Sequence, residues 1–164
     1  MVETSTLPDE LEQLGAGSGF LPELCRMLEH VQILREFDRG EIEKLATYCS
    51  AYTVKPSVVI FKEQSRSHFM CLLVEGRIEI LKEGKQVAVV RAGKSFGEMS
   101  ILDGFPYSAG AKAMEESKFI MITRSQFQRL SEQKPEIALK LYQAMAKLLS
   151  LRLRQTTGVL IDYL

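Results

Sequence analysis

Apolar residues recur in two rhythms along this chain, and the change of rhythm divides it into three parts. From Phe20 to Leu34 the spacing is helical, with Leu24, Met27, Leu28, Val31 and Leu34 on one face. The segment Phe37-Asp38-Arg39-Gly40-Glu41-Ile42 predicts a second helix start. Asp38 can cap it, Glu41 stands where a capping box needs it, and Phe37 can staple onto Ile42. That helix runs to about Cys49, with Ile42, Leu45 and Ala46 facing inward. From Ala51 the period shortens. Tyr52 to Lys55, Val58 to Lys62, Phe69 to Val74, Arg77 to Leu81 and Gln86 to Arg91 are short runs suited to strands. Glu75-Gly76 and Glu83-Gly84 separate them as tight turns. Ala109 to Ala113 and Lys118 to Thr123 add two more strands. Helical spacing returns at Ser125 to Glu132. Lys134-Pro135 interrupts it, and Pro135 opens a long helix to about Thr156, with Gly158 as its stop.

Short strands this close, without helices between them, predict an antiparallel roll. The fold class is α+β: a jelly-roll-like antiparallel β-roll over about 51–124, flanked by N-terminal helices and by C-terminal helices over 125–156. Residues 1–19, with Pro8 and the glycines at 15, 17 and 19, read as a flexible leader. Residues 20–164 read as a single domain.

After the fifth of these strands, and running through the sixth, lies the stretch with most chemistry, GKSFGEMSILDGFPYSAGAKA from Gly93 to Ala113. Ser95-Phe96 ends an extended segment, Gly97-Glu98 turns the chain, and Met99 to Leu102 make a short helix that Asp103-Gly104 stops. A glycine turn followed by a helix start sets backbone N–H groups beside an acid, a means of holding phosphate without a P-loop. Read alone, Gly97-Glu98 is equally well a helix start with an acid favoured by the helix dipole.

The order Phe96-Gly97-Glu98, a short apolar helix, then Pro106-x-Ser108-Ala109 resembles the phosphate-binding cassette of the cyclic-nucleotide-binding domain family. Leu73-Val74-Glu75-Gly76-Arg77-Ile78-Glu79 is similar to that family's hairpin-glycine segment. PEIALKLYQAMAKLL resembles the long helix of its catabolite activator branch. The resemblance covers roughly Leu28 to Thr156. It implies a ligand site at Phe96, Gly97, Glu98, Met99, Ser100, Tyr107, Ser108 and Ala109, with the ribose 2′-hydroxyl donating to Glu98. It also implies that Arg152, on the long helix, lies near the base. Arg152 is a candidate to compensate for a missing charge, although its plainer reading is a solvent-exposed helix charge. Lys94 and Lys112 flank the cassette.

One position departs from the family pattern: Tyr107 stands where the resemblance expects arginine. A phenol has neither the charge nor the forked donors of a guanidinium. It either donates one neutral hydrogen bond to the ligand or lies across the anion site and fills it. Loss of a charged hydrogen bond costs roughly 1.5–3 kcal/mol.

Composition narrows the partners. Lys plus Arg and Asp plus Glu are both 21, so the formal net charge is zero. A nucleic-acid grip is expected to carry a basic excess. After the long helix, Thr157 to Leu164 are too few for a helix-turn-helix, so no DNA-binding domain is expected. No run reaches the ~18 apolar residues of a membrane span. Three cysteines without metal-like spacing and two histidines argue for reduced thiols and against a metal site. The chain reads as cytoplasmic and not an enzyme, since neither paired acids nor a nucleophile motif appears. The leading reading is a regulatory module for a cyclic nucleotide, cAMP first, signalling to an unknown effector protein. Its alternative is a degenerate domain of the same fold that acts as an interaction unit without nucleotide. Apolar residues of the long helix cover two faces. Leu141, Met145 and Leu148 form one, and Leu139, Tyr142, Ala146, Leu149 and Leu153 the other, which predicts a homodimer through that helix.

Overall fold

The computed structural model describes residues 7–66 and 68–162. The elements follow one another as β1 (Glu12–Ala16), α1 (Leu21–Leu28), α2 (Arg39–Ala46), β2 (Ser50–Val54), β3 (Val59–Phe61), β4 (Phe69–Glu75), β5 (Arg77–Lys82), β6 (Lys85–Arg91), β7 (Ser95–Phe96), α3 (Glu98–Asp103), β8 (Gly110–Ala113), β9 (Ser117–Thr123), α4 (Arg124–Gln133) and α5 (Pro135–Asp162). The strands form a five-stranded sheet, β1-β2-β9-β4-β7, and a four-stranded sheet, β3-β8-β5-β6. All their pairings are antiparallel.

Side-chain alternation in β4 and β9 explains how these layers stack. Phe69, Cys71 and Leu73 point into the space between the sheets, where they meet Phe119, Met121, Ile60 and Ile78. Met70 and Leu72, with Ile120 and Ile122, point the other way and are covered by Leu24, Leu28, Leu45, Phe127, Leu141 and Met145 from the helices. The five-stranded sheet is thus buried on both faces. That is why the 69–74 run carries no polar alternation. The β-roll flanked by helices is the predicted α+β architecture.

The capping box forms as predicted. Asp38 Oδ1 accepts from Glu41 N–H at 2.8 Å, and Asp38 N–H donates to Glu41 Oε1 at 3.1 Å. Three expectations need correction. Residues 7–19 are not a flexible leader: Leu11 is buried between the sheets and β1 pairs with β2 as the sheet's edge. Backbone pairing does not need apolar side chains, so the mostly exposed strand EQLGA gave no periodic signal; residues 1–6 of the expected leader lie outside the described residues. The helix expected over 20–34 ends at Leu28. Val31 adopts an extended conformation before a short 3-10 turn, Gln32–Leu34. Both pieces bury their apolar side chains in one core, so their joint spacing looked like one helix. Finally, α5 does not stop near Thr156 but continues through Gly158 to Asp162.

Gly76 carries the turn from β4 to β5 at φ +97, and a Cβ there would lie 2.1 Å from Ser117 Oγ and 2.8 Å from Ser117 Cα. Gly84, at φ +75 in the next turn, has nothing within 4 Å of that position. Both substitutions meet the cost of a left-handed backbone, about 1–3 kcal/mol for a side chain of ordinary type. Only Gly76→Ala adds a clash with the neighbouring strand. In urea unfolding, Gly76→Ala is expected to lose at least ~1 kcal/mol more than Gly84→Ala. Equal losses would show that the close approach to Ser117 has no energetic weight.

Candidate functional site

The site is assembled where β7 ends. This strand pairs with β4 only at Cys71 and Leu72. Gly97 then turns the chain at φ +81, and its missing Cβ leaves room for three neighbours. A Cβ would come within 3.0 Å of Phe69 O and 3.4 Å of the Phe61 and Tyr107 rings. Glu98 opens α3, and Gly104 closes it at φ +71, its N–H donating to Ser100 O.

Glu98 is buried, with 2% of its surface exposed. Its Oε1 accepts from Ser95 Oγ at 2.9 Å and from Arg152 Nη1 at 2.8 Å. The same guanidinium donates through Nη2 to the Ser95 carbonyl at 2.7 Å. One arginine near the far end of α5 thus holds both the strand and the helix of the cassette. Arg152 is therefore not the free helix charge of its plainer sequence reading. Ser95 was missed as a site residue. A small polar residue on a two-residue strand beside the acid was its only signal. The acid's neighbourhood also acts on Cys71, whose thiol is raised well above its usual value, first by burial and then by the charge of Glu98.

A cavity of about 430 Å³ opens over this pair. All nine residues singled out in the sequence border it: Phe96, Gly97, Glu98, Met99, Ser100, Tyr107, Ser108, Ala109 and Arg152. Its apolar walls come from Phe61, Ile80, Val89 and Val90 of the β-roll. Leu148, Leu151 and Gln155 close it from α5. Lys94 reaches its edge, with its Nζ on Gln32 Oε1, whereas Lys112 pairs with Glu79 at 3.8 Å and does not border the cavity. The volume falls in the range that small organic ligands occupy. Among the described residues no group of His, Cys, Asp and Glu is placed to hold a metal ion.

Tyr107 has no hydroxyl free for a ligand, which removes the first of the two poses expected of it. Its ring stacks on Phe61 at 3.7 Å between centroids, 9° from parallel. Its hydroxyl accepts from Phe69 N–H at 3.0 Å and donates to Phe69 O at 2.6 Å. Phe69 lies past the last residue that β7 covers, and the phenol takes the place of the absent strand neighbour. Tyr107 therefore lines the cavity with its ring and turns its hydroxyl into the protein. On the far side Lys82 Nζ donates to the Ser108 carbonyl at 2.8 Å and to Glu63 Oε1, so the second half of the cassette is tied to β5.

A family model for the cyclic nucleotide-binding domain matches residues 52–134, just over half of the chain. A cAMP-dependent protein kinase regulatory subunit of Yarrowia lipolytica is 30% identical over 105 residues, which are 63% of this chain and 28% of that protein. The chain spans under a third of the length of the curated relatives it matches. A cyclic nucleotide-binding domain from Methylobacillus flagellatus superposes with a TM-score of 0.81 at 23% identity, covering 94% of this chain and 90% of that one. The catabolite activator protein of Thermus thermophilus gives 0.69 at 23% identity, with 78% and 61% covered. At these identities the structural likeness speaks to the fold.

The phenol of Tyr107 predicts a measurable cost. Tyr107→Phe keeps the stacked ring but leaves the Phe69 N–H and C=O unpartnered, which should cost roughly 1–3 kcal/mol in urea unfolding. Burial pushes this phenol above its usual value. The unfolded chain then ionises first, so stability is whole below about pH 10 and falls as pH rises beyond it. The alkaline loss should be shallower in Tyr107→Phe. An unchanged urea midpoint together with an unchanged alkaline limb would remove Tyr107 from the fold's support.

Proposed function

The chain therefore belongs to the cyclic nucleotide-binding domain family, and we propose that it acts as a cytosolic regulatory module that senses a cyclic nucleotide, cAMP first, and signals to a partner protein through α5. The observation that carries this reading is the Glu98–Arg152 pair, which joins the acid of the pocket to the helix that covers it. A ribose 2′-hydroxyl is expected to donate to Glu98, with the phosphate toward the Gly97–Ser100 turn and Ser108-Ala109. The family likeness and the identity to a cAMP-dependent protein kinase regulatory subunit support a signalling role. Without an arginine at position 107, cAMP binding is expected to be weak.

A second copy of the chain is the partner proposed for the outer face of α5. Leu139, Tyr142, Ala146, Leu149 and Leu153 repeat at intervals of three and four. Leu139 and Leu153 are largely exposed, Tyr142 and Ala146 are exposed, and Leu149 is half-buried. That is the spacing a coiled-coil seam uses. The other apolar face is spent inside the subunit, where Leu141 and Met145 are buried in the helical core. Substitution of Met145 would thus disturb the fold before it touched a dimer.

The alternative reading, an interaction unit without nucleotide, is favoured by one observation: Tyr107 is built into the core at the cassette's charged position.

Calorimetry with cAMP tests the first reading. Glu98→Ala should weaken binding by roughly 1.5–3 kcal/mol, since a hydroxyl loses its charged acceptor. An equal dissociation constant in the folded variant would take Glu98 out of the site, and no heat with the native protein would favour the interaction unit. For assembly, the native protein should sediment as a dimer and Leu149→Glu/Leu153→Glu as a monomer, because unpaired carboxylates do not tolerate burial. A native monomer at high micromolar concentration would end the dimer proposal.

A further inference from the structure

Arg152, the cation that reaches into the cavity from α5, is already paired, and Lys94 reaches only the cavity's edge. Arg152 is held by Glu98 and by the Ser95 carbonyl. Lys94 is bonded to Gln32, and Lys82, behind Ser108, is bonded to Glu63. The remaining cassette side chains that border the cavity, at Met99, Ser100, Tyr107 and Ser108, are uncharged. Tyr107 has no proton to offer, because its hydroxyl donates to Phe69 O. An anion placed against the cassette gives up its water and receives no charged donor from the cassette's own side chains, and the guanidinium of Arg152 can turn to it only by leaving Glu98.

What the cavity does offer suits a ligand without charge. Glu98 Oε2 accepts no hydrogen bond from the described residues, and it belongs to a carboxylate that borders the cavity. A carboxylate oxygen is a strong acceptor for the neighbouring hydroxyls of a sugar. Ile80, Val89, Leu148 and Leu151 give apolar walls from the β-roll and from α5, and Gln155 supplies an amide at the α5 side.

We propose that this pocket prefers an uncharged nucleoside, a base joined to ribose, over the corresponding cyclic monophosphate. The inference rests on the reading of the cavity as a nucleotide-type site and changes the ligand that fits it best. The ribose hydroxyls bind at Glu98, the base lies between the β-roll wall and α5, and the side where a phosphate would sit faces the Tyr107 ring.

The experiment is calorimetry of the full chain with adenosine, guanosine, cAMP and cGMP in one buffer. The expected result is that a nucleoside binds about tenfold or more tighter than its own cyclic monophosphate, the order of effect that one absent charged contact produces. A cyclic monophosphate that binds as tightly as its nucleoside, or tighter, overturns the inference and leaves the nucleotide-site reading intact. If none of the four binds at about millimolar concentration, both fall. The variant Glu98→Gln, checked for folding by its thermal transition, should lose about tenfold or more of the nucleoside affinity, since a charged acceptor becomes a neutral one. Undiminished nucleoside binding by that folded variant would place the ligand elsewhere and also overturn the inference.

Discussion

A carboxylate with 2% of its surface exposed stays in a protein only if its charge is met, and at Glu98 three separate parts of the chain come together to do so. Ser95 comes from the last strand of the five-stranded sheet, Glu98 from the helix that follows the Gly97 turn, and Arg152 from the helix that ends the described chain. Gly97 makes this possible, because any Cβ would push against Phe69 O and two aromatic rings, and the acid would no longer point at Ser95. Arg152 has its own constraint. It lies 17 residues beyond Pro135, and the buried Ile137, Leu141 and Met145 anchor the helix before it. Arg152 can thus meet Glu98 only if the first half of α5 is docked. The pocket's acid and the position of the last helix are one condition.

Tyr107 shows a second constraint working in the same few ångströms. β7 is two residues long, so the backbone of Phe69 is left without a neighbour on that side. One phenol group satisfies both its N–H and its C=O, and the ring then fills the space beside Phe61. An arginine at this position has donors but no acceptor, so it could not accept from the Phe69 N–H. Closing the sheet and clamping an anion are alternative uses of one position, and this chain uses it to close the sheet.

How much of this could be read from the residues depends on the distance over which each signal acts. The capping box at Asp38 and Glu41 is local, and it was legible down to its atoms. The cassette is local too, and its residue order was legible, although its side-chain partners were not. β1 was not legible, because a mostly exposed edge strand is held by backbone bonds and leaves no pattern of buried side chains. The inward turn of Tyr107 depends on Phe69, 38 positions away in sequence. The partner of Arg152 is 54 positions away. Neither pairing has a periodic trace. One overlooked clue did exist. Leu141, Met145, Leu148 and Arg152 follow at intervals of four, three and four, so Arg152 continues the buried stripe of α5. A charge on a buried stripe asks for a buried partner.

That stripe also sets how an occupied pocket can be felt elsewhere. Along it, Met145 is fully buried, Leu148 is half-buried at the cavity wall, and Arg152 reaches the acid. Support for α5 therefore weakens stepwise from core to pocket, and beyond Arg152 the helix surface is exposed almost throughout. A ligand that presses on Leu148 and Leu151 or draws on Glu98 acts where the helix is held by few contacts and one ion pair. The first half is buried through Leu141 and Met145, whereas the second half is held at the pocket by the Arg152–Glu98 pair. The outer seam through Leu149 and Leu153 lies on that second half. A second copy bound there would hold the same stretch of helix that carries Arg152, so its grip and the state of the Arg152–Glu98 pair would be coupled.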